Sequence, residues 1–168
     1  MQSAELWANQ GESATEPVLK ALTDPNASTR YYATMAVILM PAKQAQGFLP
    51  VVLRLCDDPD VHVQANALHL AVQLDGDSPR IQKLVVARLV HDDPAVADSA
   101  FHLLQTMDAG IVPHVVALSR HASPELRCRC IETLKAPAYD PTFGDAAQRA
   151  LTERLKHLAH RLRLVHRH

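Results

Sequence analysis

Four short proline-containing turns recur along the chain and set its organisation. Thr23-Asp24-Pro25-Asn26, Asp57-Asp58-Pro59-Asp60, Asp92-Asp93-Pro94-Ala95 and Ala122-Ser123-Pro124-Glu125 each separate two apolar-periodic stretches. Their prolines stand 34, 35 and 30 residues apart. A self-similar period of this length marks stacked supersecondary units, each of which buries its apolar face only against a neighbour. The turn chemistry agrees. Asp or Ser caps the orphan N–H groups of a following helix, and proline suits a first helical turn, where its missing N–H costs nothing.

The stretch after each turn has a helical period. Val61, Ala65, Leu68 and Val72 form the clearest seam, followed by Val96, Ala100, Leu103 or Leu104, and Met107. Leu126, Cys130 and Leu134 form a third, and Ala33, Ala36 or Val37, and Met40 a fourth. Small Ala65 and Ala100 at mid-helix are expected to let neighbouring layers approach. The stretches before the turns are shorter, around Val18 to Leu22, Leu49 to Cys56, Leu84 to Leu89 and Val112 to Leu118. Only five glycines and 4 % aromatics in 168 residues argue against hairpins, β-sandwiches and glycine-rich phosphate loops.

The segment Leu53-Arg54-Leu55-Cys56-Asp57-Asp58-Pro59-Asp60-Val61-His62-Val63-Gln64-Ala65 resembles a HEAT repeat, particularly the short bacterial kind found in phycobilin-lyase-like proteins. Leu89 to Val96 is the second-best copy, and the resemblance covers about residues 15 to 135. It implies an all-α, right-handed α-α superhelix of about four helical hairpins. In that arrangement the second helices line a concave side where partners dock. In that family an arginine often stands just after the Val of the motif, which implies a ladder to Asp in the neighbouring repeat. Arg30 and Arg127 match that place, whereas His62 and Ala97 do not and interrupt such a ladder.

The domain reading follows. Residues 1–14, with Leu6 and Trp7, are expected to form an N-terminal cap, residues 15–135 the repeats, residues 136–144 a loop, and residues 145–168 a basic C-terminal helix. Asp145 with Gln148 makes a capping box, and Leu151, Leu155, Leu158, Leu162 and Val165 make an apolar seam. Residues 146–168 carry a net charge of +5 and the remainder −6. The seam and the opposed charges favour a docked helix that closes the stack, with an interaction arm as the alternative.

Catalytic and metal motifs are absent as patterns. No GxSxG, Walker, Rossmann or HExxH signature occurs. His62 and His69 are seven apart, too far along a helix to share an ion, and His157 with His160 has no identifiable third ligand. Cys56, Cys128 and Cys130 form neither a disulfide framework nor a CxxC pair, and a reducing cytoplasm is the expected compartment. No apolar run is long enough to span a bilayer, and Met1 to Glu5 lacks a signal peptide's basic region.

What remains is surface. On the second helices, polar stripes comprise His62, Asn66, His69 and Gln73; then Asp98, His102 and Gln105; then Arg129 and Glu132 with Arg127 nearby; and Arg30 and Thr34 with Tyr31. Such stripes suit hydrogen-bonded recognition. The expectation is a cytoplasmic, non-enzymatic adaptor or scaffold without cofactor or metal, binding a protein or peptide through these thirteen residues. Two alternatives stand beside it: a lyase-like HEAT enzyme or accessory, and nucleic-acid or acidic-surface binding through the basic C-terminal helix. Nucleic acid is disfavoured by the acidic body.

Overall fold

The computed structural model describes residues 15–107, 109–120, 124–135, 144–154 and 156. The expected cap over residues 1–14, residues 136–143 of the expected loop, Ala122 and Ser123 of the fourth proline turn, and the seam positions Leu155, Leu158, Leu162 and Val165 lie outside them. Among the described residues the chain is helical and contains no strand. No helix among them is long and apolar enough to cross a membrane.

The helices form hairpins. Helix α1 (Thr15–Leu22) pairs with α2 (Ala27–Ile38). The next unit begins with α3 (Ala42–Ala45) and a 3-10 turn (Gln46–Phe48), which lead into α4 (Leu49–Leu55) and then α5 (Val61–Asp75). Helices α6 (Pro79–Arg88) and α7 (Pro94–Leu104) make the third hairpin. A 3-10 turn (Ala109–Ile111), α8 (Val112–Leu118) and α9 (Pro124–Lys135) make the fourth. A further helix, α10, covers residues 144–154. The second helices α2, α5, α7 and α9 stack on one another in that order, and α6 packs on α8. One apolar core runs from Val18 through Phe48, Leu68, Ile81 and Leu104 to Ala147.

The caps set the register. Asn26 accepts hydrogen bonds from the N–H groups of Ser28 and Thr29, Asp60 from those of His62 and Val63, and Asp93 from that of Ala95. Two residues earlier a second acceptor closes the turn. Asp24 Oδ1 accepts from Asn26 N at 2.8 Å, Asp58 Oδ1 from Asp60 N at 2.9 Å, and His91 Nδ1 from Asp93 N at 3.0 Å. Counted from the caps, Ala33, Ala67 and Ala100 occupy one position, and all three are wholly buried.

This corrects the seam expected for α5. Its buried residues are Val63, Ala67, Leu68, Leu70 and Ala71, while Val61, Ala65 and Val72 are half-buried. The cause lies in the turns. Pro59 precedes the cap Asp60, but Pro94 follows the cap Asp93. Aligning the prolines therefore slides α5 by two residues against α7, about 200° around a helix at ~3.6 residues per turn. The small residue equivalent to Ala100 is Ala67, not Ala65.

Candidate functional site

The stacked second helices leave a groove of about 520 Å3 across α2, α5 and α7. Asn66, His69 and Gln73 of α5 and His102 of α7 supply its polar walls. Ile38, Val72 and Leu103 supply apolar surface between them. Asn66 Nδ2 and Gln73 Nε2 each approach α2 at 3.5 Å, the first at Thr34 Oγ1 and the second at the Ile38 carbonyl. His69 and His102 fall at the same position counted from their caps, on adjacent helices. Partial burial, with the neighbouring His102 as a lesser cause, pulls His69 below the usual imidazole value of 6.5. At neutral pH the His69 wall is therefore an uncharged donor and acceptor.

The groove continues past the C-terminal end of α5. A second recess of about 420 Å3 shares Val72, Gln73 and Thr106 with it and runs along Asp75 and Asp77 to Met107. At the other end of these helices, Tyr31, Tyr32, Asp60 and His62 line a separate notch of about 230 Å3. The two tyrosine rings meet edge to face, with centroids 5.5 Å apart.

The thirteen candidate residues thus divide. Asn66, His69, Gln73 and His102 converge on the groove, and Tyr31 and His62 on the notch. Two candidates are withdrawn from contact with a partner. Arg30 is buried, with Nε and Nη2 donating to the Asp58 carboxylate at 2.7 Å each and Nη1 donating to the carbonyls of Asp24 and Pro25. Thr34 is wholly buried, and its hydroxyl donates to the Tyr31 carbonyl at 2.7 Å. Asp98 and Arg129 pair with each other at 3.1 Å, linking α7 to α9 on the exposed face. Gln105 is the C-cap of α7, while Arg127 and Glu132 stay on α9 beyond the groove. Sequence reasoning missed Val72 because it assigned α5 the wrong inner face; it read Leu103 of α7 only as a seam residue and did not single out Ile38 of α2. Fixing the register on the caps would have exposed Val72 as a groove residue.

Arg30 to Asp58 is a complete rung of the arginine ladder. The equivalent of Arg30 in α5 is Gln64 rather than His62, and its Nε2 donates to the Asp58 carbonyl as Arg30 does to its own turn. The equivalent of Asp58 in the third turn is His91, already engaged by Asp93 N. A different arginine contact recurs instead. Arg88, at the end of α6, donates to the carbonyl of Cys56, the C-cap of α4, at 3.0 Å, and also meets Asp57. Arg154 of α10 donates to the carbonyl of Ser119, the C-cap of α8, at 2.6 Å, and also to its hydroxyl. In each case a first helix of one layer grips the end of the first helix below it.

Cap-defined register, stacked second helices and an interlayer Arg–Asp rung agree with what known families show. A model of HEAT repeats matches residues 15–105, more than half of the chain. The chain belongs to the HEAT-repeat family. No curated protein matches it. Among solved structures it is similar to an engineered protein determined by the Northeast Structural Genomics Consortium. The two are 18 % identical, with 89 % of this chain and 85 % of that chain covered, at a TM-score of 0.49. Within the HEAT-repeat stack, α10 takes the place of a first helix in a fifth layer. Ala147 is buried in the common core, and Ala146, Ala150 and Leu151 pack against it.

Proposed function

We propose that this HEAT-repeat protein is a non-catalytic scaffold that docks a peptide segment of a partner protein in the groove over α2, α5 and α7. The observation that carries this reading is one continuous groove with apolar surface and neutral amide and imidazole walls, built by three successive second helices. Such walls hydrogen-bond peptide N–H and C=O groups without paying the desolvation cost of a charge, while Ile38, Val72 and Leu103 take up an apolar side chain. Among the described residues no cluster of three or more metal-ligating side chains stands in the groove or elsewhere.

The test is site-specific photo-crosslinking in the native host. A photoreactive residue replaces Gln73 in the groove or, as control, exposed Lys83 on α6. A discrete protein adduct from position 73, absent from position 83 and weakened on adding His69→Ala, supports the reading. Equal adducts at both positions would overturn it.

A further inference from the structure

The groove ends at a pair of carboxylates, Asp75 and Asp77. Helix α5 has no basic residue in its last turn and terminates on Asp75, with Asp77 two residues on. The C-terminal end of a helix carries partial negative charge from its unpaired carbonyls, and proteins usually place cations there. Here two carboxylates are added to the negative end of a fifteen-residue helix. Among the described residues neither forms an ion pair, although Arg80 and Lys83 follow on α6. The same carboxylates precede Ser78, the N-cap of α6, whose positive helix end offsets part of that repulsion. These carboxylates line the recess that is continuous with the apolar part of the groove through Val72 and Gln73.

We infer that the groove selects a basic-apolar segment of another protein, with an aliphatic or aromatic side chain over Ile38, Val72 and Leu103 and, a few residues away, a lysine or arginine at Asp75 and Asp77. This rests on the groove being a docking site and adds the chemistry of its occupant. Two features combine at the acidic end. The two carboxylates attract a cation, and the half-buried Asp75 is screened by solvent less than an open surface charge is. An acidic segment meets repulsion from the same carboxylates, so the groove also discriminates against it.

The experiment uses random dodecapeptides displayed on phage, selected on the whole chain. Selected peptides are then synthesised and titrated by fluorescence anisotropy. The expected consensus contains an aliphatic or aromatic residue near a lysine or arginine. Asp75→Asn with Asp77→Asn should weaken these peptides about fivefold, the size expected from two partly exposed charge contacts, and added salt should act in the same direction. The double variant should keep the parent's melting temperature, because among the described residues neither carboxylate is fully buried or ion-paired. Val72→Gln should weaken the same peptides through the apolar part of the groove without changing its charge, with its circular dichroism unchanged.

Binders lacking a basic residue, indifferent to the double variant but lost with Val72→Gln, would overturn the basic class and leave the groove as a docking site. Binders indifferent to both variants, or no binders, would overturn the docking reading as well. Tighter competition by a synthetic peptide of residues 157–168 than by any selected peptide would make the chain's own tail the occupant and overturn the assignment to a separate protein.

Discussion

Arg30 and Asp58 form a two-pronged ion pair, with both nitrogen–oxygen distances 2.7 Å, across the boundary between the first and second layers. Asp58 has a second task, since its Oδ1 accepts from Asp60 N and so holds the turn that caps α5. One carboxylate therefore fixes a layer contact and a helix start together. Asp58→Asn keeps an acceptor for Asp60 N but leaves the buried guanidinium without a counter-charge. Breaking one side of a buried pair is expected to cost about 3 kcal/mol, the low end of such effects, because Nη1 keeps the Asp24 and Pro25 carbonyls. Urea unfolding checks the value, and Arg30→Met with Asp58→Asn should recover part of the loss.

The cap-based register makes a second prediction. Ala67 and Ala100 sit at the same wholly buried position between layers, whereas Ala65 is half-buried. Ala67→Leu or Ala100→Leu should overpack the stack by about 1–3 kcal/mol. Ala65→Leu should stay within about 0.5 kcal/mol. A melting-temperature loss at Ala65 equal to that at Ala67 would restore the proline-based alignment.

That contrast shows which part of the fold was legible from the residues. The period, the hairpins, the short first helices and the first three proline turns follow from local chemistry, and three of the four seams match the buried faces. The seam of α5 failed because proline is tolerated on either side of an N-cap, so its position does not fix the helix start. The groove was legible only in part. Asn66, His69, Gln73 and His102 share one polar stripe per helix, a spacing visible in the sequence. That Arg30 and Thr34 turn inward depends on Asp58 and Asn66, which are 28 and 32 residues away respectively. No helix-face pattern contains that information.

The three cysteines should separate cleanly in a thiol titration. Desolvation pushes Cys56 up to about 12 and Cys130 up to about 11, although Arg88 and Arg154 respectively pull them the other way. Both therefore stay protonated near neutral pH and are buried, while Cys128 is exposed. An aromatic disulfide reagent at pH 8 should titrate Cys128 quickly, with Cys56 and Cys130 reacting only as fast as the fold opens. Two fast thiols in the native protein would contradict the placing of α9.

His69 gives the pH dependence a definite sign. Its pKa is lowered in the folded chain, chiefly by partial burial, so the unfolded chain takes up the proton first as pH falls. Stability from this group is complete above the unfolded value near 6.5 and declines as pH falls from there towards the depressed folded value. His69→Gln should flatten that part of the stability–pH curve. Protonation also brings positive charge into the groove, so binding of a lysine- or arginine-containing peptide should weaken over the same interval in the parent and less in His69→Gln.

The last helix tests whether the stack ends in a docked layer or a free arm. Arg154 repeats on Ser119 the grip that Arg88 has on Cys56, and Ala147 lies in the core at 1 % exposure. Ala147→Asp would put a carboxylate among apolar side chains, at a cost of about 3 kcal/mol or more. Arg154→Met would remove charge-assisted bonds to Ser119 and should cost about 1–2 kcal/mol. If α10 is the fifth layer, both losses appear in a single cooperative transition of the whole domain, because neighbouring layers stabilise one another in a stack of this kind. If α10 were an arm, Ala147→Asp would leave the main transition unmoved. Hydrogen exchange separates the two further. A docked layer protects the amides of residues 146–154 alongside α8 and α9, whereas an arm exchanges them at once.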